Sequence, residues 1–406
     1  MNIGIDATCW WNNRGFGRFT RELLTALFKL PAEHTYYLIV DQPLPENVTA
    51  QPNVRVIEAQ SSRPTTEAAV ADSNRSPFDM WRLYRAVAAE PLDIMYFPAV
   101  YSWYPVPRRL PTMVTVMDAI AEHYPELIFP NWRSRLFWTL KMKAAVWSSD
   151  RLMTLSEAAR EEIVEYIGAD AGRIDITSCA PSPGFERVSD AGSQLASRRR
   201  ANLPEDKPLI IFVGGLAPHK NLHGLLDGFE QSLQSGQLGD VQLGLVGDFR
   251  GAGFHSNHGS LQERVDANPA LKARVHFSNY VSDEDLVALY SSALAVAMPS
   301  YSEGFGLPAI EAMACGTPVL SSNCGSLPEV VGDTGVYFDP FDAASISQAI
   351  NRMVGDAALR DTLAEKALAR AQTFTWDRAA RLTLGHLEAM ADNCLGGRGA
   401  QGSLPQ

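Results

Sequence analysis

The feature that most restricts the fold of this chain is a repeated alternation of short apolar runs with longer segments of helical character. The first apolar run is residues 2–6, and Gly15 then opens a helix predicted to reach about Leu30. Further strands are predicted at 36–40, 53–57, 92–96, 112–117, 150–154 and 173–177, with helices near 78–89, 131–147 and 156–167. Such alternation predicts a doubly wound α/β domain with a mostly parallel sheet.

A second series of the same kind begins at the apolar run 208–213 and continues with a helix from Asn221. Its later elements are predicted as strands at 242–246, 274–278 and 294–298 and helices near 260–270 and 283–292. The polar stretch near 186–206 separates the two series. We therefore predict two Rossmann-like domains, 1–190 and 206–373, that face each other across a cleft, with ligands beside the carboxyl ends of the strands.

Two polar segments are predicted to have little regular structure. Residues 59–77 are rich in Ser, Thr and Asp and are predicted to form a mobile loop, while residues 396–406 are predicted to form a disordered tail. Between the second domain and this tail, Thr375 suits the N-cap of a final helix over residues 374–395.

Composition and charge exclude several functional classes. The 406 residues are 46% apolar, enough for two or three packed domains, and the net charge of -11 argues against broad nucleic-acid binding. The five cysteines have no CxxC spacing, and their odd number and the lack of a signal-peptide pattern predict a reduced, cytoplasmic chain. No apolar run approaches the roughly 18 residues that a membrane span needs.

The longest functional motif is residues 300–319, which carry two carboxylates, Glu303 and Glu311. Gly304 and Gly306 leave the loop between them without Cβ atoms, so its backbone can approach a ligand closely. Pro308 suits the first turn of a helix, where free N–H groups and the positive dipole end favour an anion. A carboxylate beside such a site is better suited to hydroxyl groups than to the anion itself. The motif therefore predicts a ligand that has both hydroxyl groups and an anionic phosphate, such as a nucleotide sugar.

This motif resembles the Glu-x7-Glu signature of family 4 of the retaining glycosyltransferases, which have the two-domain GT-B fold. The resemblance covers EGFGLP, the EAMA run and GTPV. It implies that Glu311 holds the ribose of the nucleotide and that the final helix crosses back onto the first domain. The residues implied to hold the donor sugar are consecutive: Glu303, Gly304, Phe305, Gly306 and Leu307. The alternative interpretation is that Glu303 is only a charged loop residue and Glu311 only a solvated charge on a helix.

A second motif places Gly214, Gly215 and Lys220 between a predicted strand and a predicted helix. The glycines permit a tight turn beside a phosphate, and the lysine is a point charge that can meet it. The segment resembles the diphosphate-binding loop of the same family, which implies that Lys220 neutralises the leaving nucleotide diphosphate. Many family members have Arg at the position of Gly215, so the charge balance around the phosphates differs here. The alternative is that Lys220 is a solvated surface charge.

Tyr280 and Val281 follow a predicted strand, and the resemblance implies that the backbone there forms the pocket for the nucleotide base. The next residues, 283–285, spell DxD, the metal motif of the other main glycosyltransferase fold. At the head of a helix, however, acidic residues complement the dipole. No group of histidines has a third ligand at convincing spacing. We therefore expect neither a metal nor another cofactor.

The first domain is predicted to bind the acceptor. Gly15 and Gly17 resemble the first loop of the family, which approaches the phosphates and the acceptor, although GFGRFT alone is an incomplete GxGxxG motif. Met117 stands where the family often has a histidine that touches the donor sugar. Asp118 beside it is a candidate to hydrogen-bond an acceptor hydroxyl. The alternative for Asp118 is a loop carboxylate that caps a turn.

Residues 132–143 mix aromatic and basic side chains. On a helix, their cationic face could touch anionic lipid and give weak peripheral contact with the inner face of the cytoplasmic membrane. The alternative is a domain helix with its apolar side in the core. Both interpretations stay open.

The predicted function is a metal-independent, retaining glycosyltransferase that moves a hexose from GDP-mannose or a UDP-hexose to a glycan or lipid-linked saccharide in surface polysaccharide synthesis. Lys220 and the helix after Glu303 would stabilise the charge that grows on the leaving phosphate. One alternative is a catalytically inactive relative that acts as a binding partner in a polysaccharide-assembly complex, which only Gly215 and Met117 favour. The others are another GT-B enzyme, such as a phosphorylase or epimerase, and a dehydrogenase, whose dinucleotide fingerprint lacks its last glycine here.

Overall fold

The computed structural model describes residues 1–31, 33–59, 76–247 and 257–400, and the side chains of these residues up to 394. The predicted loop at 59–77 lies almost wholly outside these ranges, as do residues 401–406 of the predicted tail. The chain forms two compact units. The first comprises residues 1–123 and 131–179 with the helix that begins at Trp376, and the second comprises residues 124–130 and 180–375.

The first unit contains a seven-stranded sheet in the order β3-β2-β1-β4-β5-β6-β7, with every pair parallel. The chain leaves β1 toward β2 and later returns to β4 on the other side of β1. A topological switch point, where ligands bind in sheets of this type, therefore lies between β1 and β4. The strands are β1 (Asn2–Asp6), β2 (Thr35–Val40), β3 (Val54–Glu58), β4 (Ile94–Phe97), β5 (Thr112–Thr115), β6 (Arg151–Thr154) and β7 (Ile174–Ile176).

The second unit contains a six-stranded parallel sheet in the order β10-β9-β8-β11-β12-β13. Its switch point lies between β8 and β11, which pair with Ile210 opposite Ala295 and Ile211 opposite Val296. The apolar strand residues are buried, as expected where both faces of a parallel sheet are covered. The strands are β8 (Leu209–Val213), β9 (Gln242–Val246), β10 (Val275–Ser278), β11 (Ala295–Met298), β12 (Val319–Ser322) and β13 (Gly335–Phe338).

Helices connect the strands in both units. In chain order they are α1 (Gly15–Leu27), α2 (Glu46–Thr49), α3 (Pro77–Ala89), α4 (Ile120–His123), α5 (Pro125–Ile128), α6 (Trp132–Ser148), α7 (Glu157–Glu162), α8 (Ala191–Arg200), α9 (Leu222–Gln234), α10 (His258–Ala267), α11 (Pro269–Lys272), α12 (Asp283–Ser292), α13 (Leu307–Ala314), α14 (Leu327–Val331), α15 (Ala343–Gly355), α16 (Ala357–Ala371) and α17 (Trp376–Ala400). Single 3-10 turns cover Val100–Ser102, Ala171–Arg173, Pro218–Lys220 and Gly332–Thr334, and a π-helical turn covers Ile163–Ile167. The predicted strands and long helices are confirmed, with ends that differ by a few residues.

The division between the units differs from the predicted boundary. The second unit takes up the chain again at Ala180, and the polar stretch 186–206 is part of it rather than a linker. Within this stretch α8 begins at its N-cap Asp190, whose carboxylate accepts from the backbone N–H of Ser193 at 2.7 Å. Arg198 is buried and donates to backbone carbonyls, including that of Lys207 at 2.7 Å. These polar side chains form hydrogen bonds with backbone groups. The composition of the stretch does not reveal such contacts.

The last helix, α17, packs on the first unit. Its first residue, Trp376, lies 6.0 Å from the ring of Phe19 in α1, and Thr383 shares a hydrogen bond of 3.1 Å with Thr177 after β7. The helix extends to Ala400 and so includes residues 396–400 of the predicted tail. Glycines there lower helix propensity, but unlike proline they keep the N–H groups that the helix needs.

We predict that Gly228→Ala destabilises the second unit. A Cβ at Gly228 in α9 would lie 2.5 Å from Cγ2 of Ile346 in α15, so the two helices would have to separate. We expect a loss of about 1–3 kcal/mol, measured by chemical or thermal unfolding, although alanine favours helices. The matched control is Gly385→Ala in α17, where no atom lies within 4 Å of the added Cβ. The control is expected to gain about 0.5–1 kcal/mol. Equal stability of both variants would contradict the close packing of α9 on α15.

Candidate functional site

The two motifs of the second half meet at the switch point of the second sheet. The loop after β8 carries Lys220 in the turn Pro218–Lys220, and the loop after β11 carries Glu303. Because β8 and β11 are neighbouring parallel strands, both loops leave the same edge of the sheet. Two groups 83 residues apart in sequence are thereby brought into direct contact.

Lys220 and Glu303 form a buried ion pair. The Lys220 Nζ lies 2.6 Å and 2.7 Å from the two carboxylate oxygens, and Ser300 Oγ donates to Oε1 at 2.6 Å. Glu303 is only 7% exposed. Burial alone raises the pKa of its carboxyl, but the charge of Lys220 and the hydrogen bonds of Lys220 and Ser300 outweigh burial, and the pKa lies below its usual value. Glu303 is therefore ionised at neutral pH.

The main chain of Glu303 is also held in place. Its carbonyl accepts from Ser326 Oγ at 2.8 Å, and the loop that carries Ser326 follows β12. Gly325 in this loop has φ of 58°, and a Cβ there would lie 2.9 Å from the Glu303 nitrogen. Sequence reasoning missed Ser300, Gly325 and Ser326. The only available signal was the position of the last two after a strand that neighbours β11.

The glycine loop after Glu303 has the predicted form. Gly306 has φ of 92°, and a Cβ there would lie 2.8 Å from Cδ2 of Leu327, so both conformation and space require glycine. Leu307 then begins α13, and Pro308 lies in its first turn. Phe305 is buried with its ring edge-on to Phe374 at 5.7 Å. A contact between the backbone of residues 304–307 and a ligand stays a prediction.

Glu311 lies on α13 and is only 4% exposed, so the alternative of a solvated helix charge is wrong. The Tyr290 hydroxyl donates to Glu311 Oε2 at 3.3 Å. The structure thus holds both glutamates of the motif in buried, hydrogen-bonded positions. The ribose contact of Glu311 stays a prediction.

The loop after β8 owes its shape to three residues. Gly214 has φ of 149°, and Gly247 after β9 passes so close to the Gly214 carbonyl that a Cβ there would overlap it. Asn221 adopts a left-handed conformation, with φ of 53°, and its side chain accepts from Gly224 N at 3.2 Å to cap α9. The requirement for Gly247 was missed. Gly215 is exposed and open, because an added Cβ would meet no atom within 4 Å.

His219 lies next to the ion pair and is neutral. Burial, and then the charge of Lys220, lower the pKa of His219 to about 3. Its Nδ1 is buried and has no hydrogen-bond partner among the described residues. The His219 carbonyl accepts from the N–H of Tyr301 at 3.0 Å, which ties the loop after β8 to the loop after β11.

The loop after β10 carries Tyr280 and Val281, the predicted base contacts. Tyr280 is exposed and Val281 is partly buried. The acidic run that follows heads α12, where Ser282 Oγ accepts from Asp285 N at 3.2 Å. The Asp285 carboxylate pairs with Arg200 at 2.5 Å, so this aspartate is engaged in a structural ion pair.

The residues predicted to contact the acceptor lie in the first unit. Gly15 is the first residue of α1, and Gly17 packs so closely on Asn12 that a Cβ would overlap the Asn12 carbonyl. This packing explains Gly17 without a ligand. Met117 is buried, and Asp118 Oδ1 accepts from Ile120 N at 3.2 Å, the capping contact of the alternative interpretation. A hydroxyl contact by Asp118 stays a prediction.

Comparison with known proteins identifies the family. The sequence profile described as glycosyl transferases group 1 matches residues 193–370. The chain is 30% identical over 279 residues to O-antigen chain mannosyltransferase B of Escherichia coli. The aligned region covers 69% of this chain and 71% of that protein. The chain is also 30% identical over 325 residues to a D-inositol 3-phosphate glycosyltransferase of a Nocardioides species, with 74% and 68% covered. The chain belongs to the group 1 glycosyl transferases.

Solved structures with the same architecture define the fold. Sucrose-phosphate synthase from Thermosynechococcus elongatus matches with a TM-score of 0.72 at 22% identity and covers 96% of this chain and 98% of that one. Anabaena HepE in complex with UDP-glucose matches with a TM-score of 0.69 at 19% identity, covering 96% and 100%. WaaG, a glycosyltransferase involved in lipopolysaccharide biosynthesis, matches with a TM-score of 0.65 at 16% identity, covering 98% and 100%. The chain has the GT-B fold.

We predict that His219 makes the stability of the second unit depend on pH. The unfolded chain binds a proton at His219 near pH 6.5, whereas the folded chain does so only near pH 3. Acidification from pH 7.5 to 5.5 should therefore destabilise the wild type by about 1 kcal/mol more than His219→Gln. The measurement is the Tm difference between the two proteins at each pH. A difference that does not change with pH would show that folding does not lower the pKa of His219.

Proposed function

We propose that this chain is a family 4 glycosyltransferase that transfers a hexose from a nucleotide-diphosphate sugar with retention of anomeric configuration and without a metal. The observation that carries the proposal is the Lys220–Glu303 ion pair, which lies at a sheet switch point and beside the N-terminus of α13. Such a position combines one group suited to phosphate with one suited to sugar hydroxyls.

The hydrogen-bond capacity of the pair supports this assignment. The Lys220 ammonium has three protons, and its contacts with Glu303 use at most two of them, which leaves one for a phosphate oxygen. The Glu303 carboxylate accepts from Lys220 and Ser300, and an ionised carboxylate has about four acceptor positions. A sugar hydroxyl can therefore donate to Glu303 without breaking the ion pair.

The chemistry follows from the development of charge in the transition state. As the bond from the anomeric carbon to the diphosphate breaks, negative charge grows on the β-phosphate. Lys220 and the positive dipole end at the start of α13 would stabilise that charge. The leaving phosphate would then accept the proton of the attacking hydroxyl on the same face of the sugar, which gives retention. A lysine in this position supplies the charge for which other transferases use a metal.

The names of the relatives narrow the substrates. Two of them are mannosyltransferases: O-antigen chain mannosyltransferase B, and the serotype-specific mannosyltransferase WbdA of Escherichia coli, which is 28% identical over 63% of this chain and 30% of its own length. They support GDP-mannose as donor and a growing surface glycan or lipid-linked saccharide as acceptor. HepE binds UDP-glucose, so a UDP-hexose is the second candidate donor. Asp118 is the proposed acceptor contact.

The proposal includes a cytoplasmic location with peripheral contact to the membrane, where lipid-linked acceptors are found. None of the five cysteines, all of which lie in the described part of the chain, forms a disulfide, which suits a reducing compartment. Among the described helices, none combines the length and apolar character required to cross a bilayer.

A catalytically inactive partner protein is the second hypothesis. Gly215 removes a positive charge that many family members have, and Met117 replaces a histidine. Two contacts argue against this hypothesis: the buried ion pair of Lys220 and Glu303, and the hydrogen bond from Tyr290 to Glu311. A chain that no longer turned over a donor would have no need to bury two charges at this edge of the sheet.

The proposal predicts that a nucleotide diphosphate raises the Tm of the protein in the presence of EDTA, because a ligand that binds only the folded state stabilises it. At a concentration of about 100 Kd the gain is about 2.7 kcal/mol. The shift should shrink for Lys220→Ala and for Glu311→Ala, and comparison of GDP with UDP identifies the base. Donor turnover with a broad acceptor mixture then separates the enzyme from a binding partner. No shift with any nucleotide, from folded protein, would contradict the assignment.

The open space at Gly215 predicts that Gly215→Arg tightens the binding of nucleotide diphosphate. The Cβ of the new arginine would meet no atom within 4 Å. Its guanidinium group would add a charge-assisted contact to the phosphates. We expect a Kd about five- to tenfold lower in isothermal titration calorimetry. Gly355→Arg is the matched control, because it adds the same charge at another open glycine of the same unit. Equal effects of both variants would show that the diphosphate does not lie at the loop after β8.

A further inference from the structure

One face of the first unit exposes large apolar side chains along α6. Trp138, Met142 and Ala145 are buried at helical spacing and attach the helix to the sheet. The other side is not covered, and Trp132 and Trp147 are 70% and 75% exposed. Phe137 and Leu140 between them are more than half exposed. The helix therefore has both a core-facing side and a solvent-facing apolar side, so the two interpretations of residues 132–143 do not exclude each other.

A second helix, α3, has the same character. Phe78 and Trp81 are at least half exposed, and their rings stack 5.9 Å apart. Helix α3 leads from β3 to β4 and α6 leads from β5 to β6, so both connections run in the same direction across the sheet. Since crossover connections are right-handed, both helices lie on the same face.

Consecutive arginines join the two helices. The Arg108 guanidinium lies over the ring of Trp147 at 5.6 Å, and Arg109 donates to the carbonyl of Ala88 in α3 at 3.4 Å. The exposed side chains of α3 and α6, together with Arg108 and Arg109 between them, are called here the aromatic–basic face.

The charge of this face is opposite to that of the whole chain. The chain carries -11, yet α6 has four basic residues and no acidic one. Three of the four, Arg133, Arg135 and Lys143, are exposed, whereas Lys141 donates to the carbonyl of Tyr101 at 2.6 Å. The single acidic residue of α3, Asp79, is buried and accepts from Ser76 Oγ at 2.8 Å. Guanidinium groups lie over the exposed rings, with Arg82 4.3 Å from the centre of Phe78 and Arg133 5.6 Å from that of Trp132. Arg109 lines a surface cavity together with Glu90 and Asp93, so these two carboxylates partly balance its positive charge.

We propose that the aromatic–basic face binds the surface of an anionic lipid bilayer. Interleaved aromatic and basic side chains match the boundary between acyl chains and phosphate headgroups, where aromatic rings insert and cations pair with phosphates. A second copy of the chain fits less well, because a two-fold dimer through this face would bring its positive charges together. The proposal extends the proposed function, since a lipid-linked acceptor lies in such a surface, but lipid binding itself does not require transferase activity.

The test is co-sedimentation of the full chain with vesicles of phosphatidylcholine alone or with about 30% phosphatidylglycerol, at low and high salt. We expect binding to the anionic vesicles only, weakened by salt. Each basic residue near such a surface contributes about fivefold, so Arg133→Glu with Arg135→Glu should lower the partition coefficient by at least 25-fold. Trp132→Ser with Phe137→Ser should lower it by about tenfold.

Matched controls lie on α17 and just after α1, away from the aromatic–basic face. Lys29→Glu with Arg381→Glu reverses two exposed charges, and Leu382→Ser removes an exposed apolar side chain. Both should bind like the wild type. Failure of the wild type to bind anionic vesicles, or equal losses in the controls, would overturn the proposal. The proposal would also be overturned if the variants of the aromatic–basic face lost self-association, measured by analytical ultracentrifugation, but kept vesicle binding. The nucleotide-induced rise in Tm should persist in every variant, and its absence would count against the proposed function instead.

Discussion

The ion pair between Lys220 and Glu303 is the interaction on which the rest of the site depends. A buried charge without a partner is costly, so each of these two groups requires the other. Their contact in turn requires β8 and β11 to be neighbours, since only adjacent parallel strands deliver the two loops to one point. The site is therefore a direct consequence of strand order. Ser300 and Ser326 fix the carboxylate and the backbone of Glu303, so the pair is held in one geometry.

Glycines let the backbone close around this pair. Gly306 and Gly325 have positive φ and lie where a Cβ would collide with Leu327 or with Glu303 itself. Gly247 permits the ends of β8 and β9 to approach the same region. The charged groups come from side chains, whereas the positive dipole end at the start of α13 comes from the backbone. This division suits a ligand with both hydroxyls and phosphates, because fixed donors need no reorganisation as charge develops.

The alternation of apolar runs predicted the fold, because strands buried on both faces of a parallel sheet have nearly continuous apolar sequences. The motif around Glu303 predicted its own loop and helix, since glycine and proline have strong local preferences. The contact of Glu303 with Lys220 could not be predicted from local sequence, because it depends on which strands are neighbours. Likewise, polar residues near 186–206 suggested a linker, but Arg198 is buried by contacts with distant carbonyls. Helix α6 shows the same limit, since composition does not reveal which side of a helix the sheet covers.

The most direct test of the central claim is a crystal structure of the chain with an intact nucleotide-diphosphate sugar, first GDP-mannose and then UDP-glucose. The account predicts that Lys220 Nζ lies within about 3 Å of a phosphate oxygen and that a sugar hydroxyl donates to Glu303. It also predicts that the phosphates face the N-terminus of α13. A donor whose phosphates lie away from Lys220, with the ion pair and α13 untouched, would contradict the account.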